Sequence, residues 1–442
     1  MTAIVKIFPR NPNGEIKRLN GGNCAPPLSR QEAGDDINPE FKALNLPLTR
    51  LHDVPWENDG MRLVDTHLIF GNFKADADNP DNYYFEQTDD YILNCLEQGT
   101  GIVYRLGPSI EHSRKKYSTR PPANYDHWID ICSHIIRHYN EGWADGFHLN
   151  IQYWEIWNEP EVTDAQGVQH LMWGGTLEEF NQFYIRVAGE LKRRFPHLKI
   201  GGPSNCGLKY GEPFLRAISQ AGAPLDFYSW HDYSYNVENT IAQPAEARKL
   251  LDHYGYSHTE LHLNEWHYFP GDFGRMRNDR AYRAQLYQEV SGLDSAAFLT
   301  SALIGWQDTP LDMSNYYTVT NSNFGLLTRN SIPTKSYYGM KSFGEVALAR
   351  ERVQSQSDMS AIRVVAGVSA PGVLAALISG FQARTELLVV EILPPFPSGN
   401  LIFRLLDEQH NLEEIVPETA GDGKFLISLP SASFVLQIMT RS

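Results

Sequence analysis

Two glutamates have sequence surroundings suited to acid–base chemistry, and each ends a strand-like run. The first run, YWEIWNEP at residues 153–160, is aromatic and apolar up to a proline. Proline can neither continue a β-ladder nor lie inside a helix, so Glu159 is predicted at the C-terminal tip of a buried strand. A carboxyl group between tryptophans loses hydration, which raises its pKa towards the range of a proton donor. Glu159 is therefore predicted to be a general acid.

Glu265 supplies a second carboxyl group, at the end of the run LHLNEW at residues 261–266. It lies 106 residues after Glu159 (265 − 159). Retaining glycosidases need two carboxyl groups about 5–5.5 Å apart, one as nucleophile and the other as acid and then base. Taken alone, either glutamate is equally well explained by a contact with an arginine or a loop amide. The pair is the more specific signal.

Arg50 ends another strand-like run, at residues 46–51, and is predicted to lie buried near Glu265. Its guanidinium would keep the nucleophile ionised and its pKa low. That would separate the pKa values of the two glutamates, as their different roles require. The alternative interpretation of Arg50 is a salt bridge that only supports the fold.

Five further side chains are candidates for contacts with a sugar. His52, His231 and Tyr233 follow strand-like runs and could hydrogen-bond hydroxyl groups or hold the nucleophile. A lone histidine is, however, more often structural. Trp266 and Trp306 could stack on the apolar face of a sugar ring, although a tryptophan at such a place is as often part of the core.

The elements that must position these residues alternate between short apolar runs and longer helical patterns. Residues 125–139 carry an apolar stripe at helical spacing, and residues 176–179 form a capping box. The eight strand-like runs are residues 17–20, 46–51, 101–106, 151–157, 199–202, 226–230, 261–265 and 302–306. This alternation predicts an α/β fold, a (β/α)₈ TIM barrel over residues 15–330, whose functional face is the C-terminal end of its strands.

Beyond the barrel the pattern changes to short strands separated by turns. Residues 331–442 are therefore predicted to form an antiparallel β-sandwich, which the N-terminal residues 1–14 can join.

The composition narrows the range of partners. A formal net charge of −15 disfavours nucleic acid and anionic membranes as partners. No run reaches transmembrane length, and no signal peptide is visible at the N-terminus, so a cytoplasmic protein is predicted. The four cysteines lack CxxC spacing, which disfavours a metal cage or a disulfide scaffold; they are Cys24, Cys95, Cys132 and Cys206. The sequence is compatible with a homo-oligomer.

These motifs together resemble glycoside hydrolase family 39, the β-xylosidase and α-L-iduronidase family, within clan A of retaining glycosidases. The matching segments are RLH at 50–52, WEIWNEP at 154–160, SWHDY at 229–233, HLNEW at 262–266 and FGLLTRNSIPTK at 324–335.

The resemblance implies that Glu159 is the acid/base and Glu265 the nucleophile, while Asn158 binds the sugar 2-hydroxyl. The expected activity is removal of terminal sugars from oligosaccharides or glycosides by double displacement, without metal or organic cofactor. A β-xylosidase is the first expectation, and galactosidase, arabinosidase and iduronidase are alternatives. The chain has YRLG at 104–107 where the family often has a Glu-Leu-Gly sequence. Arg105 is therefore expected to alter the sugar-binding rim.

Two other classes of function compete with this interpretation. One is a metal-dependent barrel hydrolase with His52, His231, Glu265 and His267 as ligands, which no HxH or HExxH spacing supports. Activity that survives a strong chelator would reject it. The other is an inactive carbohydrate-binding protein, which hydrolysis of any aryl glycoside would reject.

Overall fold

The computed structural model describes most of the chain: residues 1–26, 36–53, 63–111, 115–164, 167, 170–370, 372–395 and 400–441. Within these residues the strands form two sheets, one closed into an eight-stranded parallel barrel and one of ten strands. The predicted combination of a TIM barrel and an antiparallel β domain is confirmed.

The barrel follows an N-terminal strand, β1 (Thr2–Glu15). Its strands are β2 (Gly21–Asn23), β3 (Leu48–Leu51), β4 (Gly101–Leu106), β5 (Tyr153–Ile156), β6 (Lys199–Asn205), β7 (Phe227–Ser234), β8 (Glu260–Tyr268) and β9 (Met313–Tyr316). Each pairs in parallel with its neighbours in this order, and β9 closes the barrel against β2. All strands therefore end at the same mouth, where barrel enzymes carry their sites.

Helices connect the strands. They are α1 (Asn38–Ala43), α2 (Thr66–Ile69), α3 (Glu86–Glu97), α4 (Tyr125–Glu141), α5 (Leu177–Arg194), α6 (Gly211–Gln220), α7 (Val237–His253), α8 (Phe273–Asn278), α9 (Arg280–Glu289), α10 (Leu293–Gly305) and α11 (Lys335–Ala347). Thr176 and Glu179 form the predicted capping box at the start of α5. α4 ends at Gly142, which adopts a left-handed φ of 75°.

The predicted eighth strand at residues 302–306 is wrong. Most of this run lies in α10, which is buried on nearly every face between the barrel and the second sheet. Thr300 and Ser301 both contact Ser379 of that sheet. Because α10 is apolar on all sides, its sequence lacks the alternation of apolar and polar residues that identifies a helix. The true last strand, β9, has the short and polar sequence MSNY, and the first strand starts at Gly21 rather than residue 17.

The remaining strands form the ten-stranded sheet. They are β10 (Glu351–Ser357), β11 (Ile362–Ala370), β12 (Val373–Gly380), β13 (Leu387–Ile392), β14 (Leu401–Leu406), β15 (Asn411–Ile415), β16 (Glu418–Thr419), β17 (Lys424–Ser428) and β18 (Phe434–Thr440). The strand order is β15-β14-β18-β12-β11-β10-β1-β13-β17-β16, antiparallel except between β1 and β13.

This sheet folds over its own apolar core. Phe403 on β14 and Phe425 on β17 are far apart in the strand order, yet their rings lie 4.8 Å apart between centroids. The two layers predicted for a sandwich are thus two halves of one curled sheet. We keep residues 15–330 as the proposed barrel domain and residues 331–442 with 1–14 as the proposed β domain.

None of the four cysteines takes part in a disulfide. Among the helices that the structure describes, none is both long and apolar enough to cross a membrane.

Two helical glycines give a matched test of how α11 packs on the barrel. A Cβ atom on Gly344 would overlap the carbonyl oxygen of Leu44, whereas one on Gly189 in α5 would meet nothing within 4 Å. Gly344→Ala should lower the free energy of unfolding by about 1–3 kcal/mol, as overpacking does. Gly189→Ala should raise it by about 0.5–1 kcal/mol, the usual gain for alanine in a helix. Urea denaturation of both variants checks this, and an equal effect of the two substitutions would contradict the packing.

Candidate active site

The two predicted glutamates face each other at the mouth of the barrel. Glu159 follows β5 and Glu265 lies on β8. One carboxylate oxygen of each and one ring nitrogen of His231 all lie within 4.8 Å of one another. The imidazole stands between the acids, with Nδ1 2.8 Å from Glu159 Oε1 and Nε2 3.6 Å from Glu265 Oε2. The two glutamates identified from the sequence therefore lie in one compact cluster with His231.

The turn after β5 aims the carboxyl group of Glu159. Trp157 and Glu159 both adopt left-handed backbone conformations, with φ of 71° and 42°. The amide of Glu159 donates to the carbonyl oxygen of Ser204, on β6, at 3.0 Å. Left-handed conformations are costly for such residues and persist where the surroundings hold them. The chain therefore turns sharply just beyond β5, at the residue whose carboxyl group faces the site.

Arg50 connects the deepest part of the site. Its guanidinium is fully buried at the end of β3 and lies 2.6 Å from a carboxylate oxygen of Glu155. Its other hydrogen bonds go to Asn158 Oδ1 (2.7 Å), Ser204 Oγ (2.8 Å), Asn23 Oδ1 (3.1 Å) and Glu265 Oε2 (3.4 Å). Arg50 thus touches the nucleophile candidate and holds the amide of Asn158 beside the acid.

Glu155 is a site residue that the sequence analysis overlooked, although it lies inside the WEIWNEP motif. Its Oε1 accepts hydrogen bonds from Ser204, Ser229 and Asn264 at 3.0, 2.7 and 2.6 Å. A charged residue within an otherwise aromatic strand signals a buried, partnered carboxylate. Glu155 thereby fixes Arg50 rather than facing the space between the two candidate catalytic acids.

Tyr233 and His231 lie on β7, next to β8, and His231 pairs in register with Glu265. The Tyr233 hydroxyl donates to Glu265 Oε1 at 2.5 Å. Together with Arg50 it fixes both oxygens of the Glu265 carboxylate. This is a suitable arrangement for a nucleophile that must keep one orientation.

Burial dominates the titration of the site. It raises the pKa of Glu159 to about 7, and the negative charge of Asp53 adds to this rise. Burial also raises the pKa of Glu265, with Glu159 adding to the rise while Arg50 and Tyr233 oppose it. The expectation of a low pKa for Glu265 is wrong, because burial raises this pKa by more than Arg50 and Tyr233 lower it. Burial lowers the pKa of His231 to about 4, so its ring is neutral at pH 7.

Glu161 also has a carboxyl group whose pKa burial raises to about 7. Its oxygens, however, accept from the backbone amide of Cys206 at 2.5 Å and from Asn205 at 3.2 Å. It does not belong to the cluster formed by Glu159, His231 and Glu265. Geometry therefore favours Glu159 over Glu161 as the acid.

Trp266 and Trp306 are placed differently from the expectation. Neither has exposed surface, and their rings meet edge to face at 4.8 Å between centroids. The Trp306 indole donates to the carbonyl oxygen of Thr240 in α7. Trp266 follows the inward-facing Glu265 on β8, so its side chain turns to the outer side of the barrel. Both tryptophans belong to the core and not to a sugar-stacking surface.

Arg105 does not lie on the rim, which corrects the expectation for it. It is fully buried and donates to His52 Nδ1 at 3.2 Å and to Asp65 Oδ1 at 2.6 Å. His52 Nε2 in turn lies 3.3 Å from Asp53 Oδ2. Arg105 therefore contacts His52 within the protein interior and supports its position.

Asp53 and Tyr317 are further residues that the sequence analysis missed. Asp53 accepts from the backbone amide of Ile110 at 3.1 Å and from the Tyr317 hydroxyl at 3.2 Å. Asp53 directly follows His52, and a polar residue after a strand end could have been noticed. Tyr317 directly follows β9 and could not have been noticed, because the last strand was predicted at the wrong residues.

The described residues include one group that could hold a metal ion, formed by Glu159, His231 and Glu265. It differs from the four ligands considered for a metal hydrolase. His267 is engaged elsewhere, with Nε2 2.8 Å from the Tyr316 hydroxyl and Nδ1 2.7 Å from the Tyr268 carbonyl oxygen. His52 is likewise outside the group, so the ligand set expected for that alternative is not assembled.

The buried charge of Arg50 gives a stability prediction. Arg50→Gln leaves Glu155 and Glu265 without their shared cation and should cost about 3–5 kcal/mol at pH 7. Carboxyl groups buried without a cation have a raised pKa, so the folded variant takes up protons and the deficit should shrink from pH 7 to pH 5. Arg186→Gln is the control, because its pair with Asp126 is more than half exposed and should matter by less than about 1 kcal/mol. A deficit that grows on acidification would contradict the arrangement.

Comparison with known proteins places this site in a family. The family model for glycosyl hydrolases family 39 matches residues 20–366. A β-xylosidase of Caldicellulosiruptor saccharolyticus is 25% identical over 268 residues, covering 56% of this chain and 50% of its own. A β-xylosidase of Geobacillus stearothermophilus is 23% identical over 273 residues, covering 56% and 51%. The chain thus spans about half the length of these relatives.

A solved structure extends the likeness to the whole fold. A glucosidase from Croceicoccus marinus superposes on this chain with a TM-score of 0.78 at 21% identity. The superposition covers 100% of both chains. The residues matched by the family model include Glu159, which follows β5, and Glu265 on β8. The chain therefore belongs to glycosyl hydrolase family 39.

Proposed function

We propose that this chain is a retaining glycoside hydrolase that removes a terminal sugar from oligosaccharides or glycosides. The observation that supports this most is the approach of the Glu159 and Glu265 carboxylates, whose nearest oxygens lie within 4.8 Å. Retaining enzymes hold their carboxyl groups about 5–5.5 Å apart, whereas inverting enzymes need about 6.5–9.5 Å to admit a water molecule.

In the first step, an oxygen of Glu265 attacks the anomeric carbon of the bound sugar. A bond forms between that oxygen and the carbon while the glycosidic C–O bond breaks, and Glu159 gives its proton to the departing oxygen. Tyr233 and Arg50 keep the attacking carboxylate in one orientation. The products of this step are a glycosyl ester on Glu265 and a free leaving group.

In the second step, a water molecule releases the sugar. Glu265 has lost its negative charge in the ester, so one charge that opposes ionisation of Glu159 is gone. Glu159 can then take a proton from the water as it attacks the anomeric carbon, and the ester bond to Glu265 breaks. Two displacements return the original anomeric configuration.

Asn158 and the residues around it are the proposed contacts to the sugar. Arg50 holds the Asn158 side-chain oxygen at 2.7 Å, which leaves the amide nitrogen to donate to the 2-hydroxyl. His52, His231 and Tyr233 remain proposed sugar contacts or supports of the two acids. Trp266 and Trp306 are withdrawn from this set because they are buried.

The charges near the reaction centre favour a neutral sugar. Glu155, Asp53 and the two catalytic candidates face one buried cation, Arg50, so a uronate carboxylate here would meet net negative charge. This disfavours an iduronidase. A β-xylosidase is the first proposal, since both curated relatives above carry that name, and glucosidase, galactosidase and arabinosidase are alternatives.

The proposed substrate is a carbohydrate and not a nucleic acid or a membrane. The cytoplasm remains the proposed compartment, supported by four cysteines without a disulfide, as a reducing environment gives. A homo-oligomer remains compatible with all of these features.

Two substitutions test the roles of the glutamates. Glu265→Ala should lower kcat on any aryl glycoside that the chain cleaves by more than about 10⁴-fold, because no nucleophile remains. Glu159→Ala should keep more activity on a substrate with a good leaving group, and azide should raise its rate by taking the place of water. Near-normal rates for both variants would contradict the assignment. Treatment of the wild type with EDTA is the control, and loss of activity there would favour a metal site instead.

The raised pKa of Glu159 predicts how activity depends on pH. Only the protonated acid can assist the leaving group, so kcat/KM should fall as pH rises through about 7. A dinitrophenyl glycoside needs little protonation of its leaving group and should show a much weaker fall. Profiles measured from pH 5 to 9 on a poor and a good leaving group check this. Identical profiles for the two substrates would contradict the role of Glu159.

A further inference from the structure

A row of polar contacts runs along the wall of the barrel mouth and ends at Asp53. Arg105 donates to Asp65 Oδ1 at 2.6 Å and, through Nε, to His52 Nδ1 at 3.2 Å. His52 Nε2 lies 3.3 Å from Asp53 Oδ2. The first three side chains are buried, whereas 9% of the Asp53 side chain is exposed, the same fraction as for Glu265. The row therefore leads from the interior to a carboxylate that is as accessible as the proposed nucleophile.

Arg105 fixes the position of the proton on His52. A guanidinium only donates hydrogen bonds and keeps its protons in proteins, so His52 Nδ1 must be the acceptor of this contact. The ring proton of His52 then lies on Nε2, the nitrogen that faces Asp53. Both ring nitrogens are thus engaged within the protein. Of the two roles left for His52, that of a support is favoured, and the group that it supports is Asp53.

Tyr317 places Asp53 next to the strand of the nucleophile. Its backbone amide donates to the carbonyl oxygen of Trp266 at 3.0 Å, one residue after Glu265. Its hydroxyl donates to Asp53 Oδ2 at 3.2 Å, so one tyrosine spans the space from β8 to Asp53. Its ring lies 6.3 Å from that of Tyr233, whose hydroxyl donates to Glu265. Asp53 and Glu265 therefore border the same part of the mouth, each held by one of two neighbouring tyrosines.

The Asp53 carboxylate has acceptor capacity left. Ionised carboxylates offer about four lone-pair positions. From the residues that the structure describes, Oδ1 receives the backbone amide of Ile110 at 3.1 Å. Oδ2 receives the Tyr317 hydroxyl and has His52 Nε2 beside it. Oδ1 can therefore accept a further hydrogen bond, and a sugar hydroxyl is a suitable donor because hydrogen bonds to an ionised acceptor are the strong ones.

We infer that Asp53 accepts a hydrogen bond from a hydroxyl of the terminal sugar other than its 2-hydroxyl, and so helps to select the sugar. This rests on the proposed function, in which Asn158 meets the 2-hydroxyl. The terminal sugar is the part of the substrate that becomes bonded to Glu265, and Asp53 lies on the Glu265 side. A site built to bind a hydroxyl rejects an analogue that lacks it, because its polar group is then left unpaired.

The measured quantity is kcat/KM of the wild type and of Asp53→Ala on para-nitrophenyl glycosides of the sugar that the chain cleaves. This aglycone has no hydroxyl, so a lost contact must be one with the terminal sugar. The substrates are the parent glycoside and its 2-deoxy, 3-deoxy and 4-deoxy analogues, with the 6-deoxy analogue added if the sugar is a hexose.

Asp53→Ala should lower kcat/KM on the parent glycoside by about 10- to 100-fold, the usual worth of a hydrogen bond to a charged group. On one analogue other than the 2-deoxy sugar, the same substitution should matter by less than about twofold, because the contact is already absent there. A general change in the charge or stability of the site would instead lower kcat/KM equally on all of the substrates.

Asp53→Asn keeps the shape of the side chain and removes its charge, so it should show the same pattern with a smaller loss. Asp126→Ala is the control, because it removes a carboxylate that is more than half exposed and paired with Arg186 at the start of α4. It should leave kcat/KM unchanged on every substrate.

An equal loss on every analogue, or no loss on the parent glycoside, would overturn this inference and leave the proposed function intact. A loss that disappears only on the 2-deoxy analogue would also overturn it, since Asp53 would then bind the hydroxyl assigned to Asn158. A wild type that cleaves no aryl glycoside would overturn the proposed function as well.

Discussion

The contact between Arg50 and Glu155 is the interaction on which the rest of the site depends. Both side chains are fully buried, and they lie 2.6 Å apart. A buried ion pair costs much desolvation and adds little stability unless its remaining hydrogen-bonding groups are satisfied. Here they are satisfied by groups from neighbouring strands, among them Asn158, Ser204 and Asn264. The pair therefore sets the geometry of the barrel mouth rather than simply adding stability.

This network places the two catalytic candidates in different environments. Glu265 receives hydrogen bonds from Arg50 and Tyr233, which favour its ionised form. Glu159 has Asp53 among the charges near it and lies next to a neutral His231. Burial raises the pKa of both carboxyl groups, but the hydrogen bond from Tyr233 and the charge of Arg50 oppose the rise at Glu265, which favours Glu159 as the proton donor.

Several of these features could be predicted from the sequence because they depend on local rules. The proline after an aromatic run predicted that Glu159 lies where a strand ends. The alternation of strands and helices predicted that Glu265 and His231 lie at the same barrel mouth. The capping box at Thr176 located the start of α5. In each case the residue types within a few positions decide the outcome.

The misplaced features depend on the environment that the folded chain creates. α10 is buried by the β domain as well as by the barrel, so its sequence carries no polar face that would reveal a helix. The polar strand β9 carries no apolar signal, which also hid Tyr317. Arg105 was expected on the rim, but it is buried. Its burial against His52 and Asp65 depends on side chains from two other segments, so the local sequence could not reveal it. The direction of the pKa shift of Glu265 could not be predicted either, because it is set first by burial, which only the folded barrel mouth creates.

Glu265 is the proposed nucleophile, whose carboxylate oxygen bonds to the sugar. A dinitrophenyl 2-deoxy-2-fluoroglycoside of the cleaved sugar should leave a long-lived glycosyl ester, because the fluorine slows both steps while the good leaving group speeds only the first. After digestion, mass spectrometry should find the added sugar mass on the peptide that contains Glu265, one sugar per chain. A label on Glu159 or Glu161, or turnover without any label and with inverted product, would contradict the account.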